Sequence, residues 1–235
     1  MARKTVLDAV RDALADAVVP PLPRLARASA APDRHVLAAR FAREAGTVGT
    51  IVHEVEGLGA AISAVAAVLA ATATSPRVVA WPTPLARTVA TAAVAATPGA
   101  SLHIVDDAAT APGRDPADDL AAVRAATTDV IAAADVGITE AEYLVADSGT
   151  LVLRAAGRAR GVSLLPPVHV AVVACDRLVA DLGAALAHLR ATGARDSCIT
   201  LVTGPSRTAD IEKKLVVGVH GPCTLHVVLL APPEA

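Results

Sequence analysis

A polar segment, GPSRTADIE, begins at Gly204 directly after a short apolar run. Gly-Pro predicts a turn, and we expect a helix to begin near Thr208. Because backbone N–H groups at a helix start have no intrahelical partner, they could join Ser206, Arg207 and Thr208 in binding a phosphate or a carboxylate. An equally supported alternative is a plain helix cap, with Ser206 or Thr208 as the cap and Asp210 in the first turn. The glycine spacing fits neither a Walker loop nor a dinucleotide-binding loop.

A second polar segment, ADSGT, contains Ser148, Gly149 and Thr150. Asp-Ser-Gly is typical of a tight turn, and such a turn could also present these three residues to a ligand. Two glutamates lie just upstream, and either Glu140 or Glu142 could act as a general base or a nucleophile. The alternative for both glutamates is a solvated surface position.

His220 precedes Gly-Pro ahead of the last apolar run, where it could transfer protons or simply pack in a turn. The seven histidines lack metal-ligand spacing, so we expect no metal site and no cofactor held by this chain. The three cysteines, Cys175, Cys198 and Cys223, are too few and too far apart for a disulfide framework or an iron–sulfur cluster. This cysteine usage favours a reducing cytoplasm.

Composition excludes several classes of protein. Of the 235 residues, 54% are hydrophobic and 1% are aromatic, and the net charge is −2. These values argue against a disordered chain and against binding of nucleic acid. Residues 57–76 carry no charge, but they are mostly alanine with glycine, serine and threonine, so we expect a buried helix rather than a membrane span.

The chain divides into two regions. Apolar residues at helical spacing predict an amphipathic helix over residues 5–18, a proline-rich linker follows at 19–24, and a second helix is expected over 35–45. We therefore predict a helical segment over residues 1–46 and an α/β domain over 47–235.

Short apolar runs alternate with helical stretches from residue 47 onward, which predicts a parallel sheet covered on both faces. The predicted strands are 78–80, 102–105, 151–153, 168–173, 199–202 and 225–230. The predicted helices are 58–71, 85–96, 118–134, 182–192 and 209–217. Either a short helix or a hairpin through Asp147-Ser148-Gly149 must lead into the strand at 151–153. The hairpin would place ADSGT beside GPSRT at the carboxyl ends of the parallel strands, where open α/β sheets bind ligands.

Three ordered motifs carry a resemblance to a known family. GITEAEYLVADSGTLVL, the arginine-containing loop ending in SLLPPVHV, and GPSRTADIE followed by GVHGP resemble the LUD-domain family typified by lactate-utilisation protein C. The resemblance covers the carboxyl-terminal half closely, and the helical amino-terminal half is consistent with it. Ser148 departs from the pattern, since the family more often has threonine there.

The resemblance implies a three-layer α/β/α Rossmann-like fold, similar to the sugar-phosphate isomerase and CoA-transferase superfamily. It also implies a role in oxidation of L-lactate to pyruvate alongside iron–sulfur partner proteins. Our leading hypothesis is a component of this system that binds a small anionic metabolite at the sheet rim. The alternatives are a stand-alone isomerase or acyl-transferase, in which Glu140 or Glu142 acts with assistance from His220, and a non-catalytic interaction subunit.

Overall fold

The computed structural model describes residues 2–15, 33–105, 120–192, 198–209 and 215–231. The predicted linker at 19–24 lies outside the described residues, and so does Asp210. The helices are α1 (Ala2–Ala13), α2 (Arg34–Thr47), α3 (Gly57–Thr72), α4 (Pro84–Ala95), α5 (Leu120–Ala132) and α6 (Leu182–Ala191). The strands are β1 (Ile51–Glu56), β2 (Arg77–Ala80), β3 (Ser101–Ile104), β4 (Val136–Glu140), β5 (Tyr143–Val145), β6 (Thr150–Arg154), β7 (Val168–Ala174), β8 (Leu178–Val179), β9 (Ile199–Val202), β10 (Arg207–Ala209), β11 (Leu215–Val217) and β12 (Thr224–Ala231).

A six-stranded sheet with the order β1-β12-β7-β4-β2-β3 forms the centre of the protein, and each of its neighbouring pairs is parallel. Its central strands β4 and β7 are buried along almost their whole length, as expected for strands covered on both faces. Helices α3 and α4 cover one face, where Val65, Leu69 and Val89 pack against Ile138 and Val172. The predicted α/β fold with a mostly parallel sheet is confirmed.

The opposite face is covered by α2 and by a second sheet with the order β8-β5-β6-β9. Phe41 from α2 and Leu144 and Leu151 from the second sheet share one buried cluster with Trp81 and Val227 of the central region. The outer side of the second sheet is covered in turn by α6. Helix α2 crosses the domain boundary predicted at residue 46, and that boundary stays a prediction.

Two predicted strands are in a different sheet from the one expected. The runs 151–153 and 199–202 form β6 and β9, which pair antiparallel to each other in the second sheet. The hairpin between β5 and β6 reverses the chain, and β9 then pairs with the open edge of β6. The predicted turn of this hairpin is confirmed, with Gly149 at a φ of 62°.

The helix predicted over residues 209–217 is wrong at both of its described ends. β10 and β11 pair there as an antiparallel hairpin, with Thr208 opposite Val216. β-Branched residues at these positions favour a strand over a helix. The anion site proposed at a helix start near Thr208 therefore has no helix to supply it.

The uncharged stretch at residues 57–76 forms α3, which buries Ala61, Val65, Val68 and Leu69, so the prediction of a buried helix is confirmed. Within the described ranges, we find no helix whose length and hydrophobicity would let it cross a bilayer. In α1, by contrast with α3, the apolar side chains of Val6 and Val10 are exposed.

Substituting Gly137 by alanine tests the tight contact between β4 and the 3-10 helix at Arg160–Ser163. A methyl group on Gly137 would overlap the backbone carbonyl oxygen of Val162, so we expect Gly137→Ala to lower the free energy of unfolding by about 1–3 kcal/mol. Gly59→Ala is the matched control, because Gly59 lies in α3 with open space around it. This substitution should raise the free energy of unfolding by up to about 1 kcal/mol. Urea unfolding measures both variants, and equal stabilities would contradict the assigned contact.

Candidate functional site

The loop that contains Gly204 lies at the amino edge of the parallel sheet. The backbone N–H of Ser206 donates to the carbonyl of Pro222 at 2.9 Å, and Pro222 lies two residues before the start of β12. Gly204 packs against Val48, which precedes β1. The expectation of a site at the carboxyl ends is therefore wrong for this loop, because β9 belongs to the second sheet and ends at the opposite edge.

A chain of hydroxyl groups joins the two polar loops that the sequence singled out. The Ser148 and Thr150 hydroxyl oxygens lie 2.9 Å apart, and Thr150 contacts the Thr203 hydroxyl at 2.8 Å. Gly149 packs closely against the backbone of Ala45 at the end of α2. The structure thus brings ADSGT and GPSR together, as expected, although at the amino edge. Sequence reasoning missed Thr203, which precedes the turn at Gly204.

A cavity of about 250 Å³ opens beside this loop. Three of the predicted site residues, Gly204, Ser206 and His220, line it. The cavity is also lined by Ser163, Leu164, His169, Thr203, Pro222 and Leu225. The structure therefore joins His220 to the GPSR loop in one concave site.

His169 is a second residue that sequence reasoning did not assign to the site. Its side chain is 1% exposed, and its Nε2 lies 2.8 Å from the Thr139 hydroxyl. Burial lowers the pKa of His169 from 6.5 to about 4, so the imidazole is neutral at pH 7. The signal available in the sequence was a polar residue within the apolar run VHVAVVA.

Arg207 binds protein rather than facing the cavity in this structure. Its guanidinium donates to the carbonyl oxygen of Val48 and passes over Gly49, where a side chain would collide with it. Arg207 therefore ties the start of β10 to the turn before β1. Thr208 follows within β10.

The two glutamates lie at the other edge of the sheet. Glu140 ends β4, and its carboxylate accepts a hydrogen bond from the backbone N–H of Leu85 in the first turn of α4 at 3.2 Å. Glu142 pairs with Arg154 at 3.5 Å and with Arg177 at 3.7 Å. Since His220 is at the amino edge, the expected assistance of either glutamate by His220 is wrong.

Metal-binding residues do not cluster in the described part of the chain, where no three His, Cys, Asp or Glu side chains are placed to hold a metal ion. His53 and His226 do meet, with Nε2 and Nδ1 3.0 Å apart and ring centroids 5.3 Å apart. A centroid separation of this size with nearly coplanar rings fits a direct N–H···N hydrogen bond. The pair therefore links the edge strand β1 to β12.

Acid should destabilise the protein through its buried histidines. Because the pKa of His169 is about 4 in the folded chain and 6.5 for a free histidine side chain, the unfolded chain binds a proton first as pH falls. The free energy of unfolding should decrease from about pH 6.5 to about pH 4, by about 3 kcal/mol for His169. His226, whose pKa is also lowered to about 4, acts in the same direction.

Urea unfolding across this pH range checks the prediction. His169→Gln should show a smaller decrease than the native chain, whereas His103→Gln, at an exposed position of β3, should show the native decrease. An unchanged slope in His169→Gln would contradict the assignment.

Comparisons with known proteins agree with this architecture. The LUD domain model matches residues 38–230. Lactate utilization protein C from Shouchella clausii is 47% identical over 93 residues, which are 38% of this chain and 41% of that protein. Lactate utilization protein C from Bacillus subtilis is 43% identical over 103 residues, covering 42% of this chain and 43% of that protein. Each match thus spans less than half of the relative's length.

A solved structure is similar in fold. The crystal structure of a DUF162 family protein from Deinococcus radiodurans superimposes with a TM-score of 0.54 and 19% sequence identity, covering 85% of this chain and 99% of that one. At this identity the likeness concerns the fold alone. The family model, by contrast, matches most of the sequence. The chain belongs to the LUD domain family.

Proposed function

We propose that this chain is a component of an L-lactate utilisation system, in which lactate is oxidised to pyruvate, and that it binds a small anionic metabolite. Its family membership and the names of its relatives support the metabolic role. Iron–sulfur proteins of the same system are the proposed partners, and they would carry the redox centres. The proposed binding site is the amino-edge cavity beside Gly204.

The chemistry of the cavity lining is the observation that carries the proposed site. The lining offers Ser206, His169 and His220 among its polar groups, and its described residues include no aspartate or glutamate. No described residue forms a hydrogen bond with the Ser206 hydroxyl, whereas the backbone N–H and carbonyl of Ser206 are both bonded. A hydroxyl donor free for a ligand, with no carboxylate among the described lining residues to repel an anion, suits an anionic metabolite.

The remaining candidate residues take supporting places in this proposal. Ser148 and Thr150 orient the Thr203 hydroxyl through the hydroxyl chain, and Gly149 lets that turn approach α2. Arg207 ties the start of β10 to the turn before β1 and so holds the segment that follows the cavity loop. Thr208 and Asp210 continue the same segment, and we retain them as candidate ligand contacts.

Growth on L-lactate tests the proposed role. The double variant Ser206→Ala, His220→Ala removes two polar groups from the cavity, and we expect it to grow on L-lactate like a deletion strain while growing normally on glucose. Ser63→Ala is the control, because the Ser63 hydroxyl bonds only its own helix at Gly59. Normal growth of the double variant on L-lactate, with the protein stably produced, would argue for the alternative of a non-catalytic interaction subunit.

A second candidate function, an isomerase or acyl-transferase, is favoured by the position of Glu140. In the parallel sheet, β3 lies at the edge beside β2, whereas β4 lies on the inner side of β2. The order in which the chain adds strands to the sheet therefore reverses between β2 and β4. Open α/β sheets bind ligands outside the carboxyl ends of strands at such a point. Glu140 ends β4 there, beside the amino end of α4. Glu142 is less suited to this role because two arginines hold it.

Glu140→Gln separates this second function from the first. It preserves the shape of the side chain and its acceptor for the Leu85 N–H but removes the charge. A catalytic Glu140 predicts turnover of a sugar phosphate or an acyl-CoA by the native protein and a loss of at least about 100-fold in the variant. Absence of turnover in a broad substrate screen would count against this function and leave the cavity proposal intact.

A further inference from the structure

The buried pair formed by Thr139 and His169 lies between the parallel sheet and the second sheet. Val136 and Ile138 of β4 pack toward α3 and α4, so by alternation Thr139 points to the opposite face. The same alternation on β7 places His169 on that face, beside Ala171. Thr139 is fully buried, and no other described hydrogen bond reaches its hydroxyl.

The hydroxyl of Thr139 decides which ring nitrogen of His169 carries the proton. If Nε2 donated to the hydroxyl oxygen, the hydroxyl hydrogen of Thr139 would be buried without an acceptor, which is costly. If the hydroxyl instead donates to Nε2, both atoms are satisfied and the proton of the neutral ring lies on Nδ1. Thr139 therefore favours the Nδ1–H form.

That proton is available to a ligand. His169 lines the cavity, and with Nε2 turned to Thr139 its free nitrogen is Nδ1, which has no hydrogen-bond partner among the described residues. The low pKa that burial gives this imidazole keeps it neutral across the physiological range. Among the described residues, no internal acceptor competes with a ligand for this uncharged N–H donor.

We propose that His169 Nδ1–H binds the carboxylate of a small monocarboxylate in this cavity, and that Thr139 is a positioning residue that fixes the donor form of the ring. This inference rests on the proposed function, because it names the ligand class and the buried contact of the same site. The hydroxyl of Ser206 then serves the substituent next to the carboxylate.

The lining of the cavity sets the ligand class. Among the described residues it contains no lysine or arginine, and a doubly charged phosphate without such a partner is poorly compensated in a partly buried site. A monoanion with an uncharged N–H donor is better matched. Leu164, Val202 and Leu225 make much of the wall apolar, and the volume of about 250 Å³ suits a compact ligand. A short 2-oxo or 2-hydroxy monocarboxylate meets these requirements.

Long-range proton–nitrogen NMR on the ligand-free protein tests the donor form directly. We expect the two ring nitrogens of His169 to show the pattern of a neutral imidazole protonated at Nδ1. Thr139→Val removes the hydroxyl at nearly constant volume and should abolish this preference, whereas Thr139→Ser should retain it. A native ring protonated at Nε2 overturns the inference, and this measurement does not depend on any variant folding.

Titration with pyruvate tests the contact. We expect native protein to bind pyruvate with a perturbation of the His169 nitrogen signals, and Thr139→Val to bind about tenfold more weakly. Pyruvamide, which lacks the charge, and inorganic phosphate should both bind more weakly than pyruvate. Thr97→Val is the matched control, because Thr97 is also buried but its hydroxyl bonds the carbonyl of Ala93 in the preceding helix α4.

The outcomes separate this inference from the proposed function. Pyruvate binding that leaves the His169 signals unmoved, or that Thr139→Val and Thr97→Val weaken equally, overturns the role of His169 while leaving an anionic ligand in place. Tighter binding of phosphate than of pyruvate overturns the monocarboxylate class. Failure of the native protein to bind any of these anions overturns the inference and the proposed site together, while the growth test still decides the metabolic role.

Discussion

A parallel sheet with apolar residues on both faces must be covered twice, and this protein uses two different covers. Helices α3 and α4 form one of them, with small and β-branched residues against the sheet. The other is a second sheet assisted by α2. In that second sheet the β5–β6 hairpin reverses the chain, and β9 pairs antiparallel with β6. The loop after β9 therefore lies at the amino edge of the parallel strands. The position of the cavity follows from this arrangement.

The cavity and the glutamates occupy chemically different surroundings. Near Gly204 the polar groups are hydroxyls and histidines, and most of their partners are backbone or other hydroxyls. Near Glu140 and Glu142 the groups are ionic, with arginines and a helix start as partners. Uncharged donors recognise a ligand by geometry, and their contacts depend little on salt. Interactions with the charged groups at the other edge are screened more strongly by dissolved salt.

The sequence predicted the fold class, the buried character of α3 and the hairpin turn at Gly149, because each depends on local pattern. It placed β6 and β9 in the wrong sheet, since an apolar run does not reveal which neighbour it pairs with. β1 was missed because its sequence, IVHEVE, mixes charged and apolar residues at an edge. Residues of the site near turns were found, whereas His169 and Thr139 were not, because their pairing joins two strands distant in the sequence.

The cavity and the glutamates lie at opposite edges of the sheet, so the two places can change independently as such a domain diverges. The two edges draw on different loops, and none of the hydrogen bonds or ion pairs described above links a cavity residue to Glu140 or Glu142. Substitutions at separated positions without shared partners act nearly additively. One edge can therefore accumulate changes, or lose its chemistry altogether, without disturbing the other. A single scaffold of this design can give rise to descendants that keep either site alone.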